Sequence, residues 1–97
     1  MLLREERLAI KSFADERTLS LDRGEFVAGA SPEVRRRIVR ALRILEAAPD
    51  LETLRSVPSF AGATLVSGAC SVPVPGGWRI TFVWSDDDAW LVRAEEG

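Results

Sequence analysis

Between residues 48 and 63 the hydrophobic period of this chain changes from about 3.6 residues to 2, and few small folds accommodate that change. Val34, Ile38, Ala41, Leu42, Leu45 and Ala48 recur at the spacing of one helical face. Ser31 stands at the N-cap position, Pro32 suits the first helical position, and Glu33 meets the positive end of the dipole. From Ala63 onward the chain alternates. Trp78, Ile80, Phe82 and Trp84 interleave with Arg79, Thr81 and Val83, the pattern of a strand with one face buried. Helices followed by a run of strands separated by short turns predict an α+β domain with an antiparallel sheet.

The turns support that order. Gly68 separates Ala63–Ser67 from Cys70–Val74 as a hairpin, Pro75-Gly76-Gly77 precedes the Trp78–Trp84 strand, and Ser85-Asp86-Asp87-Asp88 precedes a last strand over Ala89–Ala94. Pro73 belongs at an edge or a bulge, because it has no N–H for a ladder. Upstream, Leu8, Ile10 and Ser12 alternate with Ala9, Lys11 and Phe13 as a first strand. Asp15 and Glu16 open a first helix, containing Leu19, Leu21, Phe26 and Val27, that stops at Gly29. After Pro49, Asp50 can cap one further turn over Leu51–Leu54. The expected order is β-α-α-β-β-β-β, two helices packed on one face of a small meander. A chain of 97 residues supports one core, so residues 1–97 are expected to form a single domain.

Composition narrows the chemistry. The chain has no histidine, no tyrosine and one cysteine. Ser-His-Asp and Cys-His nucleophile systems, histidine metal sites, phenol acid–base chemistry and internal disulfides are thereby excluded. The N-terminus meets charge at Arg4, unlike a secretory leader, and the uncharged run Ser56–Trp78 is broken by Gly and Pro, unlike a membrane helix. A cytoplasmic protein is the expectation, with no metal, no cofactor and no membrane contact.

Four groups remain as candidates. Arg36, Arg40 and Arg43 fall on one side of the predicted central helix, within a run that also holds Arg35 and Arg37. They fit contact with an RNA backbone, docking of an acidic partner segment, or a solvated helix face with Glu33 and Glu46 as local partners. Arg79 lies on the polar side of the most apolar strand; it fits a phosphate or a pentavalent transition state, or a structural pair with a carboxylate. Glu95 and Glu96 offer a general base, or a frayed terminus. Asp86–Asp88 fits turn chemistry better than a hard-metal site. Cys70 reads as an apolar strand residue, and Trp78, Trp84 and Trp90 as core or sheet-face anchors or, for one of them, a platform on which a base stacks.

Three blocks of the sequence resemble one family. Ile10-Lys11-Ser12-Phe13-Ala14-Asp15, then Arg43-Ile44-Leu45-Glu46-Ala47-Ala48 with Leu51-Glu52-Thr53-Leu54-Arg55 and Pro58, then Trp78-Arg79-Ile80-Thr81-Phe82-Val83-Trp84 are similar, in collinear order, to plasmid-maintenance killer proteins. These form the HigB-like branch of the RelE/ParE toxin superfamily. The resemblance implies a RelE-like fold and the toxin role in a type II toxin–antitoxin pair. The partner it implies is a helix-turn-helix antitoxin, through which alone operator DNA is contacted. It further implies metal-free cleavage of messenger RNA on the ribosome by attack of a 2′-hydroxyl on the adjacent phosphate, with Arg79 on that phosphate. The departures are specific. Where the family hairpin is basic, this chain has Val66-Ser67-Gly68-Ala69. Pro73 and Pro75 replace Arg and Asn, and the family's terminal Asp-Tyr-His gives way to Ala94-Glu95-Glu96-Gly97. Three readings stay open: a nuclease with Glu95 or Glu96 as base, a degenerate member that only binds its antitoxin, and a ParE-like gyrase inhibitor.

Overall fold

The computed structural model describes residues 9–96. In chain order it contains helices α1 (Glu16–Asp22), α2 (Pro32–Ala47) and α3 (Leu51–Arg55), a 3₁₀ turn (Pro58–Phe60), and strands β1 (Thr64–Val66), β2 (Ala69–Val74), β3 (Trp78–Ser85) and β4 (Asp88–Glu96). The strands form one antiparallel sheet in the order β1-β2-β3-β4.

The caps operate as the residue types dictate. Oγ of Ser31 accepts the Val34 N–H at 3.2 Å, Asp15 accepts from Thr18 at 2.9 Å, and Asp50 accepts from Thr53 at 2.7 Å. On α2 the residues Val34, Ile38, Ala41, Leu42 and Leu45 are all buried. They close over Cys70, Val72 and Val74 of β2, Trp78, Ile80 and Phe82 of β3, and Ala89, Val92 and Ala94 of β4. Each of these buried side chains removes roughly 1.5–3 kcal/mol worth of apolar surface from water when it is of Val, Leu, Ile or Phe size. The helices cover one face of the sheet. The other face carries Arg79, Val83, Trp90 and Arg93, all exposed.

Three expectations are corrected. The N-terminal segment is not a full strand: residues 9–13 run extended and touch β4 through two isolated parallel bridges, Ile10 to Ala89 and Phe13 to Val92. Leu8, counted in that strand, lies outside the described residues. Second, α1 stops at Asp22, well before Gly29, because Gly24 takes a φ of +80° that an L-residue adopts only under strain. Phe26, placed on its apolar stripe, is instead 77% exposed. Third, the expected order counts two helices where the described residues hold three and a 3₁₀ turn; the additional α-helix is the turn that Asp50 is expected to cap.

Pro73 finds the edge it needs. β1 pairs with β2 only up to Ser71, so the Val72–Val74 end of β2 has no neighbour on that side. The Pro75–Gly77 turn then packs on α2 so closely that a Cβ at Gly76 would lie 2.7 Å from Cγ2 of Val34.

The ladder between β3 and β4 contains an irregularity with large consequences. Thr81 faces Arg93 but Val83 faces Trp90, so β4 carries one residue more than β3 across that step. Leu91 sits in the left-handed region there, at φ +54°. Its N–H donates to Oγ of Ser12 at 2.8 Å, and the Val92 N–H donates to the Ser12 carbonyl at 3.0 Å. The extended N-terminal segment therefore clamps the bulge. A non-glycine residue in this conformation costs roughly 1–2 kcal/mol. Leu91→Gly is expected to leave the urea midpoint unchanged or raise it. Leu91→Val, whose β-branch fits this backbone worse, should lower stability by about 1 kcal/mol or more.

Candidate functional site

The bulge sets which side chains meet on the open sheet face. Side chains alternate along a strand, so one inserted residue exchanges the faces beyond it. Ala89 and Val92 are three positions apart and both fully buried; beyond them Arg93 and Glu95 turn outward, beside Thr81 and Arg79 in register. Nε of Arg79 donates to Oε2 of Glu95 at 2.7 Å. Nη1 of Arg93 lies 3.7 Å from Oε1 of the same carboxylate, and Nε of Arg93 is 3.5 Å from Oδ2 of Asp15. The result is a line of alternating charge, Asp15–Arg93–Glu95–Arg79, across an uncovered sheet. Each such half-exposed pair contributes about 0.2–1 kcal/mol, so the line orders its side chains more than it stabilises the fold.

Arg79 uses Nε for Glu95. Among the described residues its two terminal nitrogens have no hydrogen-bond partner, which leaves the forked side of the guanidinium for an anion. Glu96, the other carboxylate candidate, is separated from this pair. It faces Trp78 in the ladder, and its Oε1 would lie 3.7 Å from a Cβ at Gly29, on the helix-covered side. There Arg17 stacks over Trp78 at 4.9 Å from the ring centroid.

The helix arginines divide by partner. Arg43 is engaged: Nη1 donates to Asp22 Oδ1 at 2.6 Å and Nη2 to the Asp22 carbonyl at 2.9 Å, tying α2 to the end of α1. Arg37 bridges to Glu33 at 2.7 Å and to the Pro75 carbonyl at 3.3 Å. Arg36 and Arg40 are exposed and have no ion-pair partner among the described residues. Together with Arg37 and Glu33 they surround a shallow depression of about 200 Å³. Like charges at i,i+4 cost a helix about 0.2–0.5 kcal/mol per pair, and Glu33 offsets that only at Arg37.

Several participants were not singled out from the sequence. Arg93 joins the site only because of the bulge, and Asp15 only because the N-terminal segment docks on β4. Thr18 is fully buried, and its Oγ1 accepts the Ala94 N–H at 2.9 Å, fixing the strand from which Glu95 projects. No local pattern signals a threonine that bonds 76 residues away. Cys70 is buried; burial pushes its thiol up, against a smaller opposing pull from Arg55, and keeps it in the unreactive neutral form.

No protein-family model matches this sequence, and no curated protein matches it. No helix among the described residues is long and apolar enough to cross a membrane.

Asp15 connects the site to pH. Burial raises its pKa, but the hydrogen bonds from Thr18 and the charges of Arg93 and Arg17 outweigh that, and the carboxyl ends below the usual aspartate value. A lowered folded-state pKa stabilises the fold above the unfolded value, about pH 4, and the contribution disappears as pH falls through the folded value. Asp15→Asn keeps an N-cap acceptor but removes the titration. Its urea midpoint is expected to fall less steeply than that of the unaltered chain as pH is lowered below about 4.

Proposed function

We propose that this chain is the toxin component of a type II toxin–antitoxin pair, a RelE-like, HigB-like member of the RelE/ParE superfamily, and that Arg79 holds a messenger-RNA phosphate on the open sheet face. The observation that carries the reading is the Arg79–Glu95 pair, 2.7 Å apart on the sheet face that no helix among the described residues covers. Cleavage by a 2′-hydroxyl needs a base beside a cation, both fixed in place. Glu95 takes the 2′-hydroxyl proton as that oxygen bonds to phosphorus. Arg79 meets the charge that gathers on the phosphoryl oxygens. The bond to the 5′-oxygen breaks, the departing oxygen takes a proton from solvent, and a 2′,3′-cyclic phosphate remains. Arg36, which has no ion-pair partner among the described residues, supplies a further phosphate contact on the ribosome. The partners are a cytoplasmic helix-turn-helix antitoxin, the ribosome and its messenger RNA, with operator DNA reached through the antitoxin.

One observation favours a second reading. Glu96 lies on the other side of the sheet from Arg79, and the sequence has no histidine or tyrosine to act as general acid. Missing acid catalysis costs about 10²–10⁴-fold, which suits a member retained for antitoxin binding.

Controlled expression with growth measurement and primer extension separates these readings. The nuclease reading expects arrest with discrete mRNA cleavages, and Arg79→Ala should reduce cleavage by about 10²–10³-fold. Arrest without cleavage, accompanied by loss of supercoiling in a gyrase assay, indicates the ParE-like activity. No arrest from a folded protein leaves antitoxin binding.

A further inference from the structure

Away from the Arg79 face, α2 and the free end of β2 enclose a groove of about 460 Å³, within the range of specific ligand sites. One wall is α2, with Arg37, Arg40 and Ala41. The opposite wall is Val72, Pro73 and Val74, at the end of β2 that β1 does not reach. Pro58 and Ser59 of the 3₁₀ turn and Gly62 just after it complete the lining. Val72, Val74 and Ala41 are themselves buried, so the exposed apolar surface is prolyl, from Pro58, Pro73 and Pro75, with two guanidiniums along one side. Arg37 is held in place by Glu33 and the Pro75 carbonyl; Arg40, one turn on, has no anionic partner among the described residues.

We propose that this groove binds an extended acidic peptide segment of a partner protein, aliphatic side chains against the exposed rings of Pro58, Pro73 and Pro75 and a carboxylate on Arg40. Charge complementarity selects the acidic character: a cation beside two other arginines gains most from an incoming anion. The lining selects peptide over nucleic acid. It contains no aromatic ring on which a base could stack, and Glu33, bonded to Arg37, opposes a run of phosphates along the rim. Pro73 has no N–H to offer, so the segment is held by side chains rather than as an added strand. The inference stands apart from the toxin reading, since it uses neither Arg79 nor Glu95.

Fluorescence anisotropy with a labelled nonapeptide alternating Leu or Val with Asp or Glu tests it on the full chain. Saturable binding is expected, weakened at least about tenfold by Arg40→Glu and unaffected by Arg79→Ala. A Cβ at Gly62 would make ordinary contact with Pro73, at 3.7 Å, so Gly62→Leu fills the groove without changing charge and should also abolish binding. Amide shifts of the unaltered protein supply a readout free of folding effects: peptide should move Arg40, Ser59, Gly62, Val72 and Val74. The proposal is overturned by absence of saturation at millimolar peptide or by shifts confined to the Arg79–Arg93 face. It is equally overturned if binding survives Gly62→Leu, or if a uridine oligonucleotide of equal charge binds more tightly with the same dependence on Arg40.

Discussion

One extra residue in β4 determines what this molecule can present to a partner. At Leu91 the backbone takes a left-handed turn within a strand, and the period-2 alternation resumes with its faces exchanged. Ala89 and Val92 both enter the core, while Trp90, Arg93 and Glu95 share the open face with Arg79. A regular strand would send Arg93 and Glu95 into the apolar layer beneath α2, where unpaired charges cost several kcal/mol each. The bulge is held by Ser12, whose hydroxyl and carbonyl accept the N–H groups of Leu91 and Val92. The N-terminal segment, two bridges rather than a strand, thus has a structural task out of proportion to its regularity.

The arginines show how position sorts identical side chains into different work. Arg43 ties α2 to α1 through Asp22, and Arg37 joins α2 to the Pro75 turn. Arg36 and Arg40 on the same helix are without such partners among the described residues. Arg79, on a strand, is oriented by one carboxylate through Nε and keeps its fork open. A guanidinium has five donors in a fixed plane; whether it clamps or recognises depends on how many of them the fold already occupies.

The two charged regions suit different ligands. On the open face a carboxylate and a guanidinium with an open fork stand side by side, the pair on which the proposed proton transfer and charge stabilisation at phosphorus rest. In the groove, cations border exposed proline rings, the surface proposed to receive an acidic peptide. These regions meet at Pro73, which lines the groove and lies opposite Arg79 in the ladder.

Much of the fold was legible because its signals are local. Ser31-Pro32 and the stripe from Val34 to Ala48 specify α2 by capping and by which atoms leave water. Trp78 to Trp84 specifies β3 by alternation, and Gly68 and Asp86-Asp87 mark turns; Ser67, counted in the strand, joins Gly68 in the first of them at positive φ. Phe26 misled because a seven-residue spacing looks helical even beyond Gly24, where backbone conformation ends the helix. Of the candidate site, the sequence by itself determined that Arg79 faces away from the core and that no histidine or tyrosine stands beside it. That Glu95 rather than Glu96 meets Arg79, that Arg93 and Asp15 join them, and that Arg43 is engaged while Arg40 has no such partner among the described residues were decided only by tertiary structure. Those pairings depend on the register between β3 and β4, on a bulge clamped from 79 residues away, and on the docking of α1 against α2, none of which leaves a local pattern in the chain.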